Sequence, residues 1–298
     1  MKEKEDKITS ILEVWDTQNN TRNVVNVFDN KHIEAPNWTL DGKALIYNSE
    51  GSLFRYDLET GESIRIDTGR CISCNNDHLI SSDGKKLAIS SGTIESPMSK
   101  IWVLPIEGGE PELVVDKDLS FLHGWSPDGK TVAFTRLEIN IENGKWHVLS
   151  ADIYSCNIDG CNDEVRLTDG AGMKDGSEYS PDGKTIWYNS TESGLMQIWK
   201  MDADGCNQTQ VTFDETRNSW FPHISPDGSK IVFIAYKKDD VDPKDHPPNK
   251  NVELLIMDSK GGEPSILCEL FGGQGTINVP SWSPDSKKFA FVSYHPDN

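Results

Sequence analysis

The sequence predicts an all-β chain folded as a six-bladed β-propeller, with the last blade closed by two N-terminal and two C-terminal strands. Three observations predict it. One turn signature occurs six times, each copy heads a unit of about four short strand patterns, and the strands missing from the last unit stand at the other end of the chain.

The six copies align without gaps around an Asp: Trp38-Thr-Leu-Asp41-Gly-Lys, Ile80-Ser-Ser-Asp83-Gly-Lys, Trp125-Ser-Pro-Asp128-Gly-Lys, Tyr179-Ser-Pro-Asp182-Gly-Lys, Ile224-Ser-Pro-Asp227-Gly-Ser and Trp282-Ser-Pro-Asp285-Ser-Lys. Successive Asp residues lie 42, 45, 54, 45 and 58 positions apart. Such periods mark a repeat architecture. The signature has a turn mechanism. Pro fixes φ, Asp bonds nearby backbone amides, and Gly takes the left-handed conformation. An apolar, β-rich run follows each copy, as in Val132-Ala-Phe134 and Ile231-Val-Phe-Ile234. A second hairpin follows that run, as in Ile101-Trp-Val-Leu104 and Ile198-Trp-Lys-Met201. Four strands per unit at this period are the blade of a propeller.

After Asp285 the chain holds one more strand. Leu12-Glu-Val-Trp15 and Asn23-Val-Val-Asn-Val27 match the third and fourth strands of the other units. Joining them closes the ring and removes an open sheet edge. Residues 1–298 are therefore expected to form one propeller domain, and a closed ring is expected to be a monomer.

Composition bounds the function. The 298 residues carry 48 acidic and 29 basic side chains, a formal net charge of -19. Such a surface repels phosphate backbones, so nucleic acid is excluded as an expected partner. No apolar run approaches the roughly 18 residues that cross a bilayer, so membrane insertion is not expected. The N-terminal MKEKEDK is polar and lacks a signal-peptide pattern. The expected location is cytoplasmic, or periplasmic or secreted if a leader precedes the chain.

There are six cysteines. Cys71 and Cys74 form one CxxC, a weak zinc signal without a second pair. Cys156 aligns with Tyr56, Leu104 and Met201 and is expected in the core. Cys161 and Cys206 fall at turn positions. Trp102, Trp187 and Trp199 are expected between blades.

The signatures resemble the WD40-like repeat of the TolB family, whose namesake is a periplasmic component of the Tol–Pal system. The resemblance covers essentially the whole chain. It implies a TolB-like propeller acting as a binding scaffold for a protein, peptide or small polar ligand. The separate N-terminal domain that TolB carries is not expected in this chain. Similar propellers precede the catalytic domain of prolyl peptidases, but no Gly-x-Ser-x-Gly occurs here. A more distant likeness is to oligogalacturonate lyases, whose propeller holds a metal through histidines.

In a propeller the first strand of each unit lines the channel, and the segment leading into it lies at one mouth. Those lead-in segments hold Asn75, Asn76, Asp77 and His78 in unit two and His123 in unit three. Unit four contributes Lys174, Asp175 and Glu178. Unit five contributes Asn218, Trp220 and His223, and unit six Gln274 and Asn278. Three of the seven histidines thus fall at equivalent lead-in positions. Convergent polar groups with an aromatic are the default site. Two long loops, residues 136–150 with Trp146 and His147, and residues 237–251 with several Asp and His246, are expected to wall that mouth.

Two functions follow. In the first, Asn75, Asn76, Trp220, Gln274 and Asn278 bind a protein, peptide or small polar ligand. In the second, the chain is a metal-assisted carbohydrate lyase or hydrolase. His78, His123 and His223 then hold a divalent Ca, Mn or Zn ion or act as bases, Asp77, Asp175 or Glu178 complete the chemistry, and Trp220 stacks on a sugar.

Overall fold

The computed structural model describes residues 8–296; the polar segment 1–7 lies outside them. Five four-stranded antiparallel sheets and one three-stranded sheet follow one another around the ring. The inner strands of blades one to five are Glu34–Trp38, Ser73–Ile80, Ser120–Trp125, Lys174–Tyr179 and Arg217–Ile224. Each pairs with the strand after its turn, and the third and fourth strands extend outward in sequence order.

The turn chemistry recurs in all six copies. The hydroxyl two residues before each Asp donates to its carboxylate, from Thr39 to Asp41 at 2.7 Å and from Ser126 to Asp128 at 2.6 Å, for example. The same carboxylate accepts the backbone N–H two residues on, as Lys130 and Lys184 show at 3.1 Å. The hydroxyl in turn accepts the amide that opens the second strand, 3.0 Å from Thr185. These bonds hold all six carboxyls below their ordinary value; the hydroxyl bond is the largest cause in each. Ser286 replaces Gly in the last copy and carries the left-handed φ of 61° itself.

Blade six closes as expected, with one difference. The ladder order is Thr21–Phe28, Ile8–Asp16, Lys288–Pro296, so two N-terminal strands and the last C-terminal strand pair directly. The fourth segment, residues 277–282, is not a regular strand. It touches the sheet through the Trp282–Phe289 bridge and the bond from Ala290 N–H to Ser281 C=O at 2.9 Å. Pro280 has no N–H for a ladder, and its carbonyl accepts from the Asn37 side chain of blade one.

The core lies between blades. One buried cluster joins Leu79, Ala88, Ile101 and Val103 of blade two to Leu122, Val132 and Phe134 of blade three. Each buried Leu, Ile, Val or Phe of such a cluster contributes on the order of 1.5–3 kcal/mol. Trp102 and Trp187 sit in equivalent clusters, and Trp199 packs against another. Cys156 is buried as expected, but it is disulfide-bonded to Cys161, with Cα atoms 5.1 Å apart. The outer hairpin of blade three turns back sharply enough to bring the two side chains together. Cys71 and Cys74 are buried free thiols.

The first long excess is not a loop. Thr131–Glu142 and Lys145–Asn157 continue as one hairpin through the whole of it. Asn143-Gly144 carries φ of 53° and 74°, the two-residue turn that closes a tight hairpin. The second excess folds down on the ring. Asn218 Nδ2 donates to Val241 C=O at 3.1 Å, and Tyr236 OH donates to Pro247 C=O at 3.0 Å.

Candidate functional site

Each of the five laddered inner strands breaks register just before its turn: between Glu34 and Asn37, Cys74 and His78, Leu122 and Gly124, Asp175 and Glu178, and Trp220 and His223. A bulge re-aims side chains that strict alternation would fix. Asp77 and His123 lie within these bulges and Asp175 borders one, so polar groups from three blades meet.

His123 is the centre. Its Nε2 donates to Asp175 Oδ1 at 2.9 Å across the blade boundary. Asp77 belongs to the same electrostatic group. Asp77 is 2% exposed. It accepts from Asn75 Nδ2 at 2.7 Å and, from blade six, Asn278 Nδ2 at 2.8 Å. Asn76 Nδ2 reaches Glu34 Oε1 of blade one at 3.3 Å. The cluster therefore draws on blades one, two, three, four and six.

Burial drives the imidazole of His123 toward neutrality, but Asp175 and Asp77 outweigh it and hold the ring at about 9. For Asp175 burial is likewise outweighed, by His123, and its carboxyl falls well below the ordinary range. Asp77 is pushed up, mainly by burial. Glu34 is pushed up for the same reason. The mouth thus holds an ionised His–Asp pair beside two carboxyls whose charge is poorly solvated.

The second long loop supplies the fifth blade's contribution. His246 lies flat on Trp220, ring centres 4.4 Å apart, and edge-on to Phe221 at 5.3 Å. Burial lowers its proton affinity, against the pull of Asp175 and Asp245. Its Nδ1 has no partner among the described residues.

The other expected residues take structural places. His78 is fully buried and donates from Nε2 to Ile46 C=O at 3.1 Å; burial lowers it to about 4. His223 faces Glu178 through Nδ1 at 2.6 Å and Ile277 C=O through Nε2 at 3.0 Å. Both its nitrogens are occupied, so no lone pair is left for a metal. Glu178 spends its second oxygen on the Ile224 amide at 3.0 Å. Lys174 is fully buried and points its ammonium into carbonyls, at 2.8 Å from Ala171. Trp220 is 1% exposed and covered by His246, so it offers no free face to a sugar. Gln274 opens the 3-10 turn Gln274–Thr276 and is half-buried.

His78, His123 and His223 are therefore not one set, and only two of them stand at equivalent positions. His78 and His123 stand five residues before the turn Asp, and His223 stands four before it. Among the described residues no group of three or more His, Cys, Asp or Glu side chains is arranged to hold a metal ion. Glu34 and the placement of His246 were not anticipated. Glu34 stands seven residues before Asp41, the offset that Asp175 has from Asp182, so the same count back reaches it; nothing local to His246 announces a stacking partner 26 positions earlier.

The ring of signature turns and the polar mouth define a TolB-type propeller. The chain belongs to that family: the TolB beta propeller domain matches residues 78–265. It is 46% identical over 264 residues to the uncharacterized protein Atu1656 of Agrobacterium fabrum (strain C58 / ATCC 33970), covering 88% of this chain and 85% of that one. The solved structure of a putative TolB from Agrobacterium tumefaciens superposes with a TM-score of 0.87 at 43% identity, over 97% of this chain and 99% of the other. The Tol-Pal system protein TolB of Francisella tularensis subsp. tularensis (strain WY96-3418) is 24% identical over 85% of this chain. The chain spans 54% of that protein's length. No helix among the described residues is long and apolar enough to cross a membrane.

Proposed function

We propose that the propeller is a binding scaffold whose mouth receives an extended polypeptide segment of a partner protein and takes a cationic group of that segment, a Lys, Arg or amino terminus, beside Asp77 and Glu34. The observation that carries this is the pair of carboxyls held up by burial around the His123–Asp175 ion pair. A buried carboxylate without full compensation is costly, and a bound cation relieves that cost. Asn278 Oδ1, buried and without a partner among the described residues, is a further acceptor in reach of the same group. The net charge of -19 favours a basic partner through electrostatic steering. The occupied nitrogens of His223, and the absence among the described residues of three His, Cys, Asp or Glu side chains arranged to hold a metal ion, weigh against a shared metal and a lyase reaction. The Cys156–Cys161 disulfide supports an oxidising compartment, periplasmic or extracellular.

The test is calorimetric titration of the full chain with octapeptides bearing one Lys, against the same peptides with norleucine in its place. Binding is expected for the Lys peptides alone. It should weaken on acidification earlier than an ordinary carboxylate near pH ~4 would require, and be lost in Asp77→Asn with unchanged circular dichroism. Equal affinity for the norleucine peptides would refute the reading.

A further inference from the structure

The blade-three hairpin runs past the end of its own sheet. The inner strand Ser120–Trp125 stops at the pair Ser120–Arg136, and the last bond across that boundary is Leu137 N–H to Leu119 C=O at 3.1 Å. Beyond it, residues 138–142 pair only with residues 145–150. The ribbon rises from the mouth face, because the loop joining second and third strands lies at the end where inner strands begin. Its channel-side edge is open.

The two faces of this ribbon differ in chemistry. Ile139 pairs with Val148 and Ile141 with Trp146, so one face is apolar throughout. Ile141 is 59% exposed and Trp146 49%. The opposite face carries Glu138, Asn140 and Glu142, with Asn140 Nδ2 donating to Glu142 Oε1 at 3.0 Å. A two-residue turn makes Glu142 and Lys145 a hydrogen-bonded pair, and such pairs alternate along an antiparallel ribbon. The backbone groups of Ile139 and Ile141 therefore point out along the open edge. A free two-stranded ribbon is only marginally stable in water, and an exposed strand edge is a template for another chain.

We propose that residues 138–142 form a strand-addition site for the partner segment, which pairs along this edge in line with Ser120–Trp125 and continues into the mouth. The segment alternates apolar and basic side chains. Its apolar residues extend the Ile139, Ile141, Trp146 and Val148 face, and its basic residues meet Glu138 and Glu142. Backbone pairing gives affinity and the alternate side chains give specificity. A second copy of this chain is a poor occupant. Two such edges paired antiparallel about Asn140 would set Glu138 of each against Glu142 of the other, and like charges directly opposite are unfavourable. The apolar patch, roughly 300–400 Å² by its exposed side chains, is also too small to hold a dimer by itself. The inference rests on the polypeptide reading of the mouth but uses a different set of residues.

The experiment follows a fluorescein-labelled decapeptide of alternating Val and Lys by anisotropy with the full chain. Three variants accompany it: Ile141→Pro, which removes an outward N–H while sparing the ribbon's own ladder; Glu138→Lys with Glu142→Lys; and Asp77→Asn. Saturable binding is expected, weakened at least tenfold by Ile141→Pro and by the double reversal, with the Ile139 and Ile141 amides gaining exchange protection. Absence of binding to the wild-type chain, or unchanged affinity in Ile141→Pro, overturns the strand-addition site. If Asp77→Asn alone loses binding, the mouth stands and the arm fails. If Ile141→Pro alone loses it, the arm stands and the mouth reading fails. A wild-type dimer in sedimentation that Ile141→Pro dissociates would assign the edge to a second copy and also overturn it.

Discussion

Replacing His123 by Gln isolates the ion pair at the mouth. Burial alone would lower the imidazole, yet Asp175 and Asp77 raise it from 6.5 to about 9. At about 1.4 kcal/mol for each tenfold change in proton affinity, the charged ring contributes about 3 kcal/mol to folding. The sign follows from linkage. A folded value above the unfolded one means the contribution is complete below pH 6.5 and is lost as pH rises through about 9. Gln keeps a donor but no charge, so Asp175 is left as a buried anion without its cation. Urea unfolding followed by tryptophan fluorescence, at pH values from 6 to 10 for both chains, reads the difference directly. The variant should be less stable by about 3 kcal/mol at pH 6, with the gap closing toward pH 10. Taking the difference cancels the Tyr, Cys and Lys groups common to both. A gap that stays constant or widens across that range refutes the assignment of a charged His123.

Three further outcomes are expected. Glu178→Gln weakens the contact with His223 Nδ1 and the bond from the Ile224 amide, which join blades four and five, and should cost on the order of 1–3 kcal/mol, read as a lower urea midpoint. Cys156→Ser removes the clip across the blade-three hairpin and should cost about 2 kcal/mol by loop-entropy reasoning; mass spectrometry of the oxidised wild type should find four alkylatable cysteines, Cys71, Cys74, Cys206 and Cys268, with exposed Cys206 labelled first. Ser180→Ala breaks the bonds to Asp182 and the Thr185 amide together and should cost about 1 kcal/mol without altering the ligand site.

The scaffold was legible because its chemistry is local. Hydroxyl, carboxylate and amide of each turn lie within six residues, so a sequence window contains the whole interaction. The closure of blade six was legible for a related reason: strand pattern survives when the strand is at the wrong end of the chain. Its inner segment departs from the pattern where Pro280 removes a ladder donor. The blade-three arm carried a readable signal that was passed over, Asn143-Gly144 flanked by Ile139, Ile141, Trp146 and Val148, which is a hairpin rather than a loop. The disulfide was hidden because Cys156 aligns with core residues of other units, and only the backbone of its own hairpin brings Cys161 to it.

The site was legible as a region and not as a set. Counting back from each Asp finds the lead-in segments, but every inner strand bulges there, so equal offset does not mean equal direction. His78 and His123 share an offset of five. One turns to a carbonyl of blade one and is nearly uncharged; the other turns to Asp175 of blade four and is held protonated. The deciding partners come from neighbouring blades, more than 30 residues away in each case. A propeller can vary its mouth for that reason. The turns fix the ring through bonds within each unit, while the bulged residues take their character from whichever blade stands next to them. Exchanging Asp175 for Asn should therefore change the charge of His123 without disturbing either adjacent turn, and an NMR titration of the imidazole in that variant should show its pKa falling from about 9.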